Sequence, residues 1–132
     1  MMARILIIDD NAELRSMLRI ALAGAGHQIE EAENGVVGLQ RYKERPFDLV
    51  ITDILMPEKE GFETIRELRA ADPNVRIVAI SGGLPNAHFD PLPLASLLGA
   101  RKTLAKPFDI AQLLKVVQGV LDDPPVSKSA PE

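Results

Sequence analysis

The run Ile5-Leu6-Ile7-Ile8, apolar at every position and closed by Asp9-Asp10, most limits what this chain can fold into. A strand with one wet face alternates apolar and polar residues. A short strand with no polar position must be covered on both sides, as in a parallel sheet between two helical layers. The next residues change period. Leu14, Met17, Leu18, Ala21 and Leu22 recur at i, i+3, i+4, i+7 and i+8 and predict a helix, with Asp10 or Asn11 as its cap and Gly24 and Gly26 at its end.

The same alternation continues to the end of the chain. Residues 27–32 predict a second, weaker strand, since Glu30 and Glu31 suit a sheet edge. Asn34-Gly35 opens a helix carrying Val36, Leu39 and Tyr42, locally weakened by Gly35 and Gly38 and stopped by Pro46. Residues 47–52 read as the strongest central strand, ending against Asp53. A turn through Met56-Pro57 and Gly61 leads to a helix with Phe62, Ile65 and Leu68, broken at Asp72-Pro73. Residues 75–80 predict a fourth strand that ends at Ser81-Gly82-Gly83. Pro85, Pro91 and Pro93 restrict residues 84–98 to a short helix beginning near Pro93. A fifth strand at 102–105 ends at Lys106-Pro107, and Asp109 caps a last helix with Ile110, Leu113, Leu114, Val117 and Leu121 on its core face. Five strands alternating with five helices predict an α/β fold, a parallel sheet covered on both faces.

The 132 residues suit one domain, expected over 1–121, with a Pro-, Ser-, Lys- and Glu-rich stretch at 122–132 read as a disordered tail. There is no cysteine, which excludes disulfides and thiolate metal sites and suits a reducing cytoplasm. No signal peptide or membrane span is read in the chain. The net charge of −4, without a basic patch, argues against direct, sequence-independent binding of nucleic acid.

Polar residues gather where such a fold would use them. Asp9 and Asp10 end strand 1, Asp53 ends strand 3, Ser81 ends strand 4 and Lys106 ends strand 5. In open parallel sheets ligands sit beyond the carboxyl ends of the strands. Neighbouring carboxylates repel one another, and a hard divalent cation with oxygen ligands, Mg²⁺, relieves that repulsion. Asp53 is then a metal ligand, or a nucleophile towards a phosphoryl group as well. Mg²⁺, Lys106 and the Ser81 hydroxyl would each address one oxygen of the transferring group.

Asp9-Asp10, the stretch Asp53-Ile54-Leu55-Met56-Pro57 with Gly61 following, Ser81, and Lys106-Pro107-Phe108 together resemble the receiver domain of bacterial two-component response regulators, over roughly residues 3–121. The resemblance implies a flavodoxin-like three-layer sandwich with strand order 2-1-3-4-5. It implies a stand-alone, cytoplasmic phosphoprotein that accepts a phosphoryl group on Asp53 from a histidine kinase, a histidine phosphotransfer protein or a small phosphodonor. Asp9, Asp10, Asp53 and the backbone carbonyl of Leu55 would bind Mg²⁺, and Ser81 and Lys106 would contact the phosphoryl group. Such a protein assists its own phosphorylation and dephosphorylation but is not otherwise an enzyme. Signalling would follow by docking an unknown downstream protein target or by phosphoryl relay. A cis bond at Lys106-Pro107 would aim the lysine into the site.

Two departures from the family pattern stand out. Receivers usually carry an aromatic residue three positions before the lysine, whose rotamer follows the hydroxyl residue as a switch; here that position is Thr103. The Ser81–Lys106 segment is also longer than usual and rich in Gly and Pro, and is the segment expected to move on activation. At the rim, a bulky Leu55 is expected to slow dephosphorylation by hindering water.

Plainer readings compete. Asp10 with Glu13 resembles a capping box, Asp53 fits a loop carboxylate or cap, Ser-Gly-Gly is ordinary turn chemistry, and Lys106 fits a surface lysine. His88 reads as surface loop, and Phe89, Leu92, Leu94, Leu97 and Leu98 as core or as a partner-binding patch. Among whole functions, a pseudo-receiver that binds partners without phosphorylation is the alternative. A Mg²⁺-dependent phosphatase of the haloacid dehalogenase type needs a second Asp two positions after the nucleophile, where this chain has Asn11 or Leu55. An FMN carrier would set its cofactor phosphate against three carboxylates.

Overall fold

The computed structural model describes residues 2–53, 60–81, 99–106 and 108–122. Outside them lie the Met56-Pro57 turn, Leu55, the helix expected near Pro93 with His88 and its apolar neighbours, Pro107, and residues 123–132. Among the described residues nine elements follow one another: β1 (Arg4–Ile8), α1 (Ala12–Gly24), β2 (Gln28–Ala32), α2 (Gly35–Glu44), β3 (Leu49–Asp53), α3 (Glu60–Ala71), β4 (Ile77–Ser81), β5 (Lys102–Ala105) and α4 (Ile110–Asp122). The strands form one parallel sheet in the order β2-β1-β3-β4-β5. Four helices are present among the described residues, and the last of them ends at Asp122.

The period of two along each strand splits the core between the two faces. Leu6, Ile8, Val50, Ile77 and Ala79 pack with Tyr42, Ile65 and Leu68 under α2 and α3. Ile5, Ile7, Leu49, Ile51, Val78, Ile80 and Leu104 pack with Leu18 and Leu22 of α1 and with Leu113, Val117 and Val120 of α4. Neither layer could be removed without exposing half of every central strand. This is the three-layer sandwich expected of the sequence.

Helix starts follow side-chain chemistry. Asn11, not Asp10, caps α1, its Oδ1 accepting from the Leu14 amide at 3.1 Å. Asn34 caps α2 through the Val37 amide, and Asp109 accepts from the Gln112 amide at 2.7 Å ahead of α4. Gly26 turns the chain out of α1 with φ of 99°.

Three apolar residues assigned to helix faces by periodicity are instead exposed. Val36 is 72 % exposed because α2 presents its glycines inward. A Cβ on Gly38 would overlap the Ile8 side chain, and one on Gly35 would overlap Thr64 Oγ1 of α3. The helix thus approaches β1 and α3 through Gly35, Gly38 and Tyr42, which turns Val36 to water. Met17 is 39 % exposed on the rim of the α1 face, and Ile110 is 46 % exposed in the first turn of α4.

The amino-terminal end of the sheet is densely bonded. The buried His27 accepts the Ala3 amide on Nδ1 at 3.1 Å. Asp48 accepts the Arg4 amide at 2.8 Å, and the Arg4 guanidinium stacks over Phe47 at 4.2 Å. Tyr42 donates its hydroxyl to Asp72 at 2.7 Å. Glu30 and Glu31 lie on the edge strand, as their charge suggests, and each pairs with two arginines.

Candidate functional site

The strand register brings the polar strand ends to one rim. Ile8 lies beside Thr52, Asp53 beside Ile80, and Ser81 beside Ala105. Asp9, Asp53, Ser81 and Lys106 therefore emerge at nearly one level at the carboxyl edge, across β1, β3, β4 and β5. Asp9, Asp53 and Ser81 are buried, whereas Asp10 is exposed at the mouth.

Carboxylate oxygens of Asp9, Asp10 and Asp53 lie within 4.8 Å of one another. Lys106 Nζ stands 3.2 Å from Asp53 Oδ2, an ion pair that reaches the cluster from β5. The Lys106 amide also donates to the Ser81 carbonyl at 2.8 Å, which ties together the backbones that carry the hydroxyl and the ammonium. Thr52 Oγ1 donates to the Asp53 carbonyl at 3.2 Å.

Asp9 shows what the cluster lacks. Its Oδ1 accepts the Asn11 amide at 2.8 Å, but its buried Oδ2 has no partner among the described residues. Burial pushes its carboxyl up to about 6, the charges of Asp53 and then Asp10 add to the rise, and the Asn11 amide and Lys106 oppose it. A buried carboxylate oxygen without a donor is costly to ionise, and a cation at that position would satisfy it. Three carboxylates, all oxygen donors and open to water at Asp10, fit a hard divalent ion such as Mg²⁺.

The structure thus brings together Asp9, Asp10, Asp53, Ser81 and Lys106. Leu55, the further ligand suggested by resemblance, lies outside the described residues. Thr103 is half-buried on β5 beside Ala79, three residues from Lys106. One contributor escaped the sequence reading: Arg15 of α1 donates Nη1 to the Asp9 carbonyl at 2.6 Å. Its position just past the cap was the available signal, but a bond to a main-chain oxygen leaves no trace in side-chain pattern.

Comparison with known proteins agrees with this geometry. The family model of the response regulator receiver domain matches residues 5–118. The receiver protein CpdR of Brucella abortus is 34 % identical over 120 residues, covering 91 % of this chain and 98 % of its own. The chemotaxis protein CheY of Bacillus subtilis is 36 % identical over 121 residues, covering 90 % and 98 %. The solved structure of CheY4 from Vibrio cholerae superposes with a TM-score of 0.80 at 30 % identity, covering 91 % of this chain and 99 % of that one. No helix among the described residues is long and apolar enough to cross a membrane. By its sequence, its strand order and its acidic rim, the chain belongs to the response regulator receiver domain family, signalling proteins of two-component systems rather than enzymes in the ordinary sense.

Proposed function

We propose that Asp53 is the phosphoacceptor and that Asp9, Asp10 and Asp53 hold the Mg²⁺ its phosphorylation requires. The observation that carries this reading is the placement of Asp53. Its carboxylate is buried at the end of β3, 3.2 Å from the Lys106 ammonium and within 4.8 Å of two other carboxylates. When bound, Mg²⁺ neutralises charge on the cluster and on the incoming phosphoryl group. The chain's own residues do the rest. An Asp53 carboxylate oxygen forms the new bond to phosphorus while the donor's bond to phosphorus breaks, its electron pair leaving with the donor. Lys106 moves from Asp53 Oδ2 towards the transferred oxygens, and the Ser81 hydroxyl donates to another. Burial excludes bulk water from the acyl phosphate. The chain in this sense assists its own modification.

The donor class is a histidine kinase or a histidine phosphotransfer protein, and output passes through a protein partner that distinguishes the phosphorylated rim. A phosphatase of the two-aspartate kind is disfavoured, because Asn11, in the place of the second aspartate, is engaged in capping α1. Incubation with acetyl phosphate and Mg²⁺, followed by intact mass, tests the reading. One added phosphoryl group is expected, lost in Asp53→Asn and on chelation. An unmodified folded protein that binds Mg²⁺ would instead favour the phosphorylation-independent binding module.

A further inference from the structure

The acidic turn is held in place by a side chain that the phosphoryl chemistry above leaves unused. Arg15 lies in the first turns of α1, its side chain only 17 % exposed. Nη1 donates to the Asp9 carbonyl at 2.6 Å, and Nε donates to Glu31 Oε1 at 3.0 Å. Arg19 Nη1 takes the other Glu31 oxygen at 3.0 Å. Bonded on both oxygens, Glu31 is a fixed post on β2. A guanidinium held at two of its nitrogens is fixed in plane and direction.

The Asp9 main chain is thereby gripped on both sides. Its amide donates to the Ala32 carbonyl at 3.1 Å, its carbonyl accepts from Arg15, and its Oδ1 accepts the Asn11 amide. Only Oδ2 is left over, and it belongs to the acidic cluster. The Asp9 carbonyl is part of the peptide unit that begins Asp10, so its direction also sets where the Asp10 carboxylate starts. Arg15 reaches the turn through the main chain, by its bond to the Asp9 carbonyl.

We infer that Arg15, fixed by Glu31, is a positioning residue for the cation site: it orients the Asp9–Asp10 peptide so that both carboxylates face Asp53. The inference rests on the reading of the acidic cluster as a Mg²⁺ site. Residues that orient metal ligands from behind are worth about 10–100-fold in affinity.

Calorimetric titration of Mg²⁺ into the unphosphorylated protein, with amide exchange of Asn11 measured without metal, tests it in wild type, Arg15→Gln, Arg15→Lys and Glu31→Ala. Arg15→Gln is expected to weaken Mg²⁺ by about tenfold or more and to speed Asn11 exchange. Arg15→Lys keeps the charge but not the two-nitrogen fork, and recovers less than half of the loss on a logarithmic scale. Glu31→Ala shifts both readouts the same way and adds little in combination with Arg15→Gln, and it decides the matter should Arg15→Gln fail to fold. Wild-type affinity in a folded Arg15→Gln, or full recovery by Arg15→Lys, overturns the positioning role. A wild type that binds no Mg²⁺ overturns the metal reading and this inference with it.

Discussion

The two ends of the sheet use the same kinds of residue to opposite ends. At the amino-terminal edge, polar groups are paired with one another: Tyr42 with Asp72, Asp48 with the Arg4 amide, the buried His27 with the Ala3 amide. Burial, followed by the bond to Asp72, pushes the Tyr42 hydroxyl well above its ordinary range, as expected of a donor kept neutral in a permanent bond. At the carboxyl edge, three carboxylates crowd together, Lys106 reaches them, and Asp9 Oδ2 is left without a donor among the described residues. These bonds tie the first edge together and stabilise the fold. The second is left in electrostatic deficit, which destabilises the empty protein and favours binding of a cation. Stability and function are therefore read at different ends of the same strands.

Substitutions that exchange these two characters would break the comparison. The largest effect belongs to Asp53→Asn, which lowers phosphorylation by acetyl phosphate by on the order of a thousandfold or more while the protein stays folded, as intact mass and circular dichroism would report. Asp9→Asn comes next and separates the two ends most clearly. It removes an uncompensated buried charge, so denaturant melts without metal should show a gain of about 1–2 kcal/mol, alongside a large loss of Mg²⁺ affinity. At the other edge Tyr42→Phe should lose about 1–2 kcal/mol, because Asp72 forfeits its donor, with Mg²⁺ affinity unchanged in calorimetry.

The smallest effect sharpens the contrast through pH. Burial holds the His27 imidazole below its ordinary 6.5, so the unfolded chain takes up the proton first. The His27 contribution is full above pH 6.5 and is lost as pH falls below that value. The difference in stability between wild type and His27→Gln should therefore narrow on acidification, by no more than about 1 kcal/mol. A difference that widened would show that the Ala3 amide does not depend on a neutral ring.

Much of this was legible in the chain before its structure. Fully apolar runs such as Ile5–Ile8 specify strands covered on both faces, and the order of polar residues at their ends placed Asp9, Asp53, Ser81 and Lys106 on one rim. The pairing of Glu30 and Glu31 with arginines agrees with their assignment to an edge strand. What escaped was set by close approach and by main-chain partners. Val36 fits the helical period, but the two glycines beside it let α2 sink inward and roll it out to solvent. His27 reads only as the first residue of the weaker second strand, yet its partner is the Ala3 amide, a group every residue carries. Arg15 was silent for the same reason, bonding to the carbonyl of Asp9.

The central question is whether a cation fills the deficit at the carboxyl edge. Thermal melting of wild type and Asp9→Asn, each with and without Mg²⁺, measures this directly. The predicted result is that Mg²⁺ raises the wild-type melting temperature, and that Asp9→Asn melts higher than metal-free wild type and gains little from Mg²⁺. A wild type indifferent to Mg²⁺, with Asp9→Asn melting lower, would contradict it and make the acidic rim a structural feature like its opposite.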